Sequence, residues 1–266
     1  MISFFYGLDH NILAFWHSAA EAAGGFLTPL AKVFTFIGEK GIWMLALAVI
    51  LMCFAKTRKV GICLFGAVCC GALITNVVLK DLIARPRPFD AVNTEYLNWM
   101  HFVSAPTETG YSFPSGHVTA ASAGILALAF CWNKKVLYAG VPYVALMCFA
   151  RNYLMAHYPT DVMAGCAVGL LSAVTAYGIT LGIYAILEKF KDKKLSRLIL
   201  YDIDAAKLFA KKSKQPAKAA SSRSSSRRET ENSDEETNGG SGTVEDIYFR
   251  NDSSGDDDGS DENHWK

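Results

Sequence analysis

Long apolar runs, separated by short polar connections, dominate residues 1–188 of the chain. Five of these runs, with a few flanking residues, have about the length needed to cross a membrane core roughly 30 Å thick. They lie at 42–55, 60–79, 117–132, 136–155 and 162–187. A weaker sixth stretch at 11–37 is interrupted by Glu21, two glycines and Pro29, and we predict it to be one span preceded by a short interfacial helix. The pattern predicts an all-α polytopic membrane bundle of about six transmembrane helices.

The polarity of the chain changes after these runs. From residue 198 onward a basic, Ser-rich stretch is followed by acidic stretches, and this composition offers too little apolar surface to offset the loss of chain entropy on folding. We therefore predict a membrane domain at 1–197 and a disordered, low-complexity charged tail at 198–266. The basic part of the tail is expected to lie near anionic lipid. A partner for the tail is an open alternative.

The charges of the chain bear on its partners and on its topology. The 26 Lys and Arg residues are balanced by 25 Asp and Glu residues, so we predict no basic face for nucleic acid. Basic residues outside the spans collect after the second, fourth and sixth spans, which predicts that this side is cytoplasmic. Both termini are then cytoplasmic, and the connection 80–116 faces outward. No cleavable signal peptide is evident, because the first basic residue is Lys32.

The seven cysteines lie in or beside apolar segments, without a C-x-x-C pair and without the regular spacing of metal ligands. Buried thiols of this kind behave as small apolar side chains. We predict that role for all seven, and no metal site.

Polar residues collect at the ends of the spans on the outward face. The segment KDLIARPRP at 80–88 ends the third span and supplies Lys80 and Arg87. The prolines on either side of Arg87 stop the helix, so this guanidinium is expected to return over the mouth of the bundle as a fixed positive charge. Arg85 is interpreted instead as marking a lipid headgroup boundary.

The segment FPSGH at 113–117 opens the next apolar run. Ser115 stands near the N-cap of that helix, so unpaired backbone N–H groups and the helix dipole point at whatever lies above them. This arrangement commonly holds a phosphate. The alternative is an ordinary helix cap followed by an exposed His117.

The segment ARNYLMAHYPTD at 150–161 supplies a candidate nucleophile. His157 precedes Asp161 by four residues, with Pro159 near the start of the next helix, so the carboxylate can hold one imidazole nitrogen and leave the other free. A neutral imidazole oriented in this way can attack phosphorus. Arg151, near the end of the fifth span, is expected to point into the same pocket. A purely structural His–Asp pair is the alternative.

Taken together, these segments put three cations, a helix N-terminus, two histidines and a carboxylate on one face, which favours phosphoryl transfer. The motifs Lys80-x6-Arg87-Pro88, Pro114-Ser115-Gly116-His117 and Arg151-x5-His157-x3-Asp161 resemble, in order and spacing, the three-part signature of the type 2 phosphatidic acid phosphatase (PAP2) superfamily. The resemblance covers roughly residues 1–188. One departure is Ala150, where many members have Ser, and we expect it to affect the rate rather than to abolish activity.

The resemblance implies a role for each motif residue. The implied phosphate-binding groups are Lys80, Arg87, Ser115, the backbone amide of Gly116, and Arg151. His157 is implied to be the nucleophile, which forms a phosphohistidine intermediate, with Asp161 as its orienter and His117 as the general acid. The superfamily uses no metal and no cofactor for this reaction, and no carboxylate cluster in the sequence suggests one.

The function implied is that of a metal-independent lipid phosphatase of the cell membrane, with its site on the outer face. Its partners are a lipid phosphate substrate and membrane lipids. Undecaprenyl diphosphate, hydrolysed to undecaprenyl phosphate and phosphate, is the leading substrate, and phosphatidate, phosphatidylglycerol phosphate and diacylglycerol diphosphate are the alternatives. A catalytically silent lipid-binding or scaffold protein is the alternative from another class. The complete set of His117, His157 and Asp161 argues against it, because lipid binding alone does not require these residues.

The connection 89–113 carries several large side chains in its middle. They are Tyr96, Trp99, Met100, His101 and Phe102. We predict that this segment lies on the membrane interface and gates entry to the pocket, and the alternative is an ordinary amphipathic segment.

Overall fold

The computed structural model of the chain describes residues 5–90 and 94–193, and all regular structure within these ranges is helical. The α-helices of the described ranges are α1 Tyr6–Ala22, α2 Thr28–Ile37, α3 Ile42–Met52, α4 Arg58–Leu73, α5 Lys80–Ile83, α6 Thr94–Phe102, α7 Gly116–Cys131, α8 Val136–Tyr153 and α9 Pro159–Lys189. Short 3-10 helices lie at Glu39–Gly41 and Pro88–Asp90, and a π-helical segment, Ile74–Leu79, joins α4 to α5. The predicted tail at 198–266 lies outside the described residues.

Among the described residues, two segments are long and apolar enough to cross a membrane, namely Arg58–Asp90 and Pro159–Lys189. The pair α2 and α3, bent by 40°, would make a third span if it crosses as one unit, and α7 is a shorter apolar helix. The predicted all-helical class is confirmed for the described residues. The count of six spans stays a prediction.

The stretch 11–37 is divided between two helices, α1 and α2. The assignment of an interfacial helix and a span to this stretch stays a prediction. Gly24 and Gly25 separate α1 from α2 and have φ values of 54° and 73°, a region open to glycine because it has no Cβ. Pro29 follows in the first turn of α2. Proline has no N–H group, but N–H groups in the first turn have no partner within the helix, so no hydrogen bond is lost. The interruption in the sequence is therefore a helix boundary.

The centre of the bundle is α7, which packs against α4 and α9. Glycines of α9 permit the close approach: a Cβ added to Gly165 would lie 2.8 Å from the main-chain oxygen of Ser115, and one added to Gly169 would lie 2.6 Å from the Cβ of Ser122. Small residues allow helices to pack closely in this way. The starts of α7 and α9 are consequently adjacent, and the Ser115 N–H donates to the Asp161 main-chain oxygen at 3.0 Å.

The outer faces of the long helices expose large apolar side chains. Val77, Met163 and Ile186 are each at least 60% exposed. Many exposed large apolar side chains are typical of contact with lipid or a partner, in agreement with a membrane protein. The prediction that all cysteines are buried is wrong for Cys53, which is exposed, whereas Cys63 is buried. In a membrane bundle an apolar context does not imply burial in the core.

The connection between α5 and α7 contains α6, whose large residues are mostly buried. Tyr96, Trp99 and Met100 pack in a cluster with Leu13 of α1, while His101 and Phe102 are exposed. The prediction of a gate on the membrane interface is wrong for the buried members, because α1 covers them. The alternative of an amphipathic segment fits the structure.

Candidate active site

A cavity of about 680 Å³ lies at the end of the bundle where α5 ends and α7 and α9 begin. Predicted site residues line its polar wall, namely Lys80, Arg87, Gly116, His117 and His157. Residues 106–109, from the connection that precedes α7, form another part of the wall. Val68, Ala72 and Ala120 supply an apolar part, so the cavity is polar on one side and apolar on another.

The start of α7 forms one edge of the cavity. Ser115, at the N-cap, has an extended backbone, and its side chain makes no cap hydrogen bond. Its Oγ is buried and has no hydrogen-bond partner among the described residues, and the first N–H groups of a helix have no partner within the helix. His117 is half-buried in the cavity wall rather than exposed. The alternative of an ordinary cap followed by an exposed histidine therefore does not match.

His157 lies in the short connection between α8 and α9 and is buried. Its Nδ1 is 2.7 Å from the main-chain oxygen of Ser112 and 3.8 Å from Oδ2 of Asp161. A carbonyl only accepts hydrogen bonds, so this geometry assigns the proton to Nδ1 and leaves the lone pair on Nε2. His157 is thus held as the tautomer in which Nε2 is free to act as a nucleophile.

Asp161, at the start of α9, holds Ser112 in place. Its Oδ2 accepts from Oγ of Ser112 at 2.5 Å and from the N–H of Tyr158 at 3.0 Å. Its Oδ1 accepts from Arg85 at 2.6 Å. The structure therefore brings Asp161 beside His157, as predicted, but the contact between them passes through Ser112. Sequence reasoning missed Ser112, which lies outside the three motifs.

Arg85 is buried, so the prediction that it marks a headgroup boundary is wrong. Its guanidinium bridges two carboxylates, Asp161 and Asp9, at 2.6 Å each, and it lies 3.8 Å from the centre of the Tyr158 ring. Asp9 belongs to α1 and also accepts from the Thr160 backbone N–H at 2.9 Å. The only signal for Asp9 in the sequence is an acidic residue in the first turn of a mainly apolar helix.

Arg87 and Arg151 meet at the carboxylate of Glu108. Arg87 Nη1 lies 2.9 Å from Oε2, and Arg151 Nη2 lies 2.5 Å from Oε1. Burial opposes the ionisation of Glu108, but the charges of Arg151 and Arg87 outweigh it and hold the pKa of Glu108 at about 2. An anion therefore sits between two predicted phosphate-binding residues. Sequence reasoning did not identify Glu108.

The structure brings all the predicted site residues to one end of the bundle. Arg151 reaches the cavity wall through Glu108, and Ser115 and Asp161 are joined through the backbone hydrogen bond between them. Their individual roles stay predictions. Within residues 5–90 and 94–193, no group of three or more His, Cys, Asp or Glu side chains is placed to hold a metal ion.

The surroundings of His157 predict the pH dependence of a reaction in which it is the nucleophile. Burial lowers the pKa of His157 to about 4, the cations Arg151 and Arg87 act in the same direction, and the nearby Asp161 carboxylate opposes them. Imidazole attacks only when neutral, and His157 is neutral above this pH. We expect the acid limb of kcat/KM to fall near pH 4, measured in a range where circular dichroism shows folded protein.

An acid limb near the ordinary histidine value of about 6.5 would contradict this expectation. Ionisation of the substrate phosphate can also produce an acid limb, so the profile should be recorded with two substrates whose phosphate pKa values differ. A limb that belongs to His157 stays at the same pH with both substrates.

Comparison with known proteins identifies the family. Residues 60–183 match the family model of the PAP2 superfamily. The chain is 34% identical over 132 residues to the undecaprenyl-diphosphatase of Sulfolobus acidocaldarius, an alignment that covers 50% of this chain and 60% of that protein. It is 30% identical over 142 residues to the decaprenylphosphoryl-5-phosphoribose phosphatase of Mycobacterium tuberculosis, covering 52% of this chain and 72% of that protein.

A solved structure shares the fold. The crystal structure of Aquifex aeolicus LpxE matches with a TM-score of 0.51 and 21% sequence identity, and the match covers 62% of this chain and 93% of that one. The family match at 60–183 contains all three motifs. From the family match and the mycobacterial relative, we conclude that the chain belongs to the PAP2 superfamily.

Proposed function

We propose that this protein is an integral membrane lipid phosphatase that hydrolyses a phosphate or diphosphate ester of a lipid without a metal ion. The observation that carries the proposal is the arrangement at the cavity: a neutral, buried His157 with a free Nε2 faces the same space as the cations Lys80 and Arg87 and the start of α7. Fixed positive charge and oriented N–H groups stabilise the charge that develops in phosphoryl transfer.

The proposed reaction has two steps. In the first, Nε2 of His157 attacks phosphorus, the bond from phosphorus to the leaving oxygen breaks, and His117, protonated beside the anionic substrate, donates its proton to that oxygen. In the second, water attacks the phosphohistidine, the bond from phosphorus to Nε2 breaks, His117 takes a proton from the water, and phosphate is released. Arg87, Arg151 and Lys80 hold the phosphoryl oxygens, with Ser115 and the Gly116 amide assisting. The cations supply the charge that a divalent ion supplies in other phosphatases.

Ser112 and Asp161 have a positioning role in this scheme. When Nε2 forms a bond to phosphorus, the ring acquires positive charge and keeps its Nδ1 proton. The Ser112 carbonyl accepts that proton in a hydrogen bond of 2.7 Å, and the Asp161 carboxylate, 3.8 Å from Nδ1, favours the charge. The carboxylate of a Ser-His-Asp triad has the same role. Here Asp161 holds His157 through Ser112, which lies between them.

The cavity fits a substrate with a phosphate headgroup and an apolar chain. Its phosphate side is cationic, and Val68, Ala72 and Ala120 of α4 and α7 offer an apolar wall beside it. Undecaprenyl diphosphate is the leading substrate. It is supported by two relatives whose names refer to a polyprenyl phosphate, the undecaprenyl-diphosphatase of Sulfolobus acidocaldarius and the decaprenylphosphoryl-5-phosphoribose phosphatase of Mycobacterium tuberculosis. Phosphatidate, phosphatidylglycerol phosphate and diacylglycerol diphosphate are the alternatives.

The proposed topology has about six spans, with the cavity on the extracytoplasmic side and the C-terminal tail in the cytoplasm. It is supported by the collection of Lys and Arg at the opposite end of the bundle from the cavity: Lys56 lies between α3 and α4, Arg58 and Lys59 begin α4, and Lys134 and Lys135 lie between α7 and α8. Basic loops are retained on the cytoplasmic side of membranes.

Phosphate release by the purified, detergent-solubilised full chain tests the function. The panel contains undecaprenyl diphosphate, phosphatidate, phosphatidylglycerol phosphate and diacylglycerol diphosphate, each with and without EDTA. We expect release that EDTA does not reduce, fastest with the polyprenyl diphosphate. Activity lost in EDTA and restored by Mg²⁺ would contradict the metal-independent mechanism. No release from any lipid by folded protein would favour the lipid-binding or scaffold alternative.

A further inference from the structure

We propose that Glu108 competes with the substrate phosphate for Arg87 and Arg151, which weakens the binding of every phosphate and speeds release of the inorganic phosphate product. A lipid phosphate displaces Glu108, and a phosphate without an apolar chain binds poorly. This inference rests on the proposed function. It begins from the position of the carboxylate, whose two oxygens lie 2.9 Å from Arg87 and 2.5 Å from Arg151. A phosphate bound by the same guanidiniums would need that place.

The site offers more hydrogen-bond donors than Glu108 can use. Arg151 is fully buried, yet its Nε and Nη1 have no hydrogen-bond partner among the described residues, and the same holds for the buried Oγ of Ser115. A carboxylate has two oxygens, and both already contact guanidiniums. Buried donors are normally satisfied, and a tetrahedral phosphate has more oxygens with which to reach them. These hydrogen-bond donors therefore fit a phosphate better than they fit the Glu108 carboxylate.

The side chain of Glu108 can leave without unpacking the core. It is 23% exposed, whereas Arg87 is only 3% exposed and Arg151 is not exposed at all. The backbone beside it is held in place, because Arg87 donates to the main-chain oxygens of Thr109 and Gly110 at 3.3 and 2.9 Å. Rotation of one side chain toward solvent then removes the carboxylate from both guanidiniums, while Arg87 keeps its hydrogen bonds to the main-chain oxygens of Thr109, Gly110 and Ala156.

Displacement of Glu108 imposes the same energetic cost on every anion that enters. A lipid offsets that cost by burying its chain, since apolar burial contributes roughly 25 cal/mol per Å². Inorganic phosphate has no apolar chain, so nothing offsets the cost of displacing Glu108. This common cost leaves the preference for lipids to the apolar wall. It weakens the binding of inorganic phosphate, so Glu108 favours release of the product.

Glu108→Gln tests the inference, because it removes the charge and keeps the size of the side chain. Binding of inorganic phosphate to the full chain in detergent is measured by isothermal titration calorimetry, without turnover. Since the substitution removes the negative charge that attracts both guanidiniums and repels an incoming anion, we expect roughly tenfold or greater tightening in the variant. The inhibition constant of inorganic phosphate in lipid hydrolysis should fall by a similar factor.

Glu39→Gln is the matched control. Glu39 lines the same cavity, but the ion pairs described for Arg87 and Arg151 are with Glu108. Tightening in Glu108→Gln alone supports the inference. Equal changes in both variants would indicate a general effect of charge and overturn it, as would unchanged phosphate affinity. If Glu108→Gln does not fold, Glu108→Ala is measured against the same control, with the same criteria.

These measurements separate failure of the inference from failure of the proposed function. Lipid turnover by the wild type together with unchanged phosphate affinity in the variant would overturn only the role of Glu108. Tighter phosphate binding in the variant, with no lipid hydrolysed by the wild type, would overturn the phosphatase proposal and support competition at the arginines.

Discussion

Replacement of His157 by alanine is expected to lower kcat by about 10⁴-fold or more, because loss of a covalent nucleophile removes the reaction path and leaves only binding and charge stabilisation. The structure gives His157 the features that the step requires. Nδ1 is held by the Ser112 carbonyl at 2.7 Å, and the side chain faces the cavity with Nε2 unprotonated. Lipid binding should change much less, since Lys80, Arg87 and Arg151 are retained.

His101→Ala is the matched control, because it makes the same substitution at an exposed position on α6, outside the cavity lining. Both variants are compared with wild type for phosphate release and for labelling of the protein by a substrate with radioactive phosphorus. Wild type and His101→Ala should form an acid-labile phosphoprotein, and His157→Ala should form none. Normal turnover in His157→Ala would show that His157 is not the nucleophile.

The motif residues could be predicted from the sequence because their positions follow from local structure. Prolines around Arg87 end a helix, and Ser115 begins one, so both are placed at a span boundary by the backbone preferences of their neighbours. His157 and Asp161 stand in one short segment that leads into α9. For such residues the apolar runs predict how close to the end of a span each residue lies, and the local sequence predicts where the backbone turns and therefore which way the side chain points.

Ser112, Glu108 and Asp9 could not be found in the same way. Each reaches the site through a contact between segments distant in sequence: Asp9 with Arg85, Glu108 with Arg151, and Ser112 with Asp161. Nothing in the local sequence distinguishes Glu108 from an ordinary acidic residue of an exposed loop. The interpretation of Arg85 failed for the same reason, since its burial depends on α1 lying across the start of α9.

The fold, like the site, could be predicted only in part from the sequence. The apolar runs predicted the positions of α4, α7, α8 and α9, because a run of apolar residues in a membrane protein forms a helix. Length and apolarity do not show which side of a helix meets protein and which meets lipid, so the burial of all cysteines was predicted wrongly for Cys53. That distinction depends on neighbouring helices.

Replacement of Arg85 by methionine is expected to destabilise the protein by about 3–5 kcal/mol, the usual effect of removing one partner from a buried ion pair. Arg85 is the cation between Asp9 and Asp161, each 2.6 Å away. Methionine fills much of the same space but leaves two buried carboxylates facing each other without a counter-charge. The effect should exceed that of a surface substitution such as Lys134→Met, at an exposed position between α7 and α8.

The double variant Asp9→Asn, Arg85→Met separates charge from packing. If the loss in Arg85→Met comes from unpaired carboxylates, removal of one of them should restore part of the stability, whereas a packing defect would be deepened by a second change. Thermal unfolding of wild type, Asp9→Asn, Arg85→Met and the double variant in one detergent measures the coupling between the two positions. Partial recovery would show that α1 holds the start of α9 through Arg85, and therefore that a helix outside the three motifs helps to fix Asp161 beside His157. Equal stability of Arg85→Met and wild type would refute this role for α1.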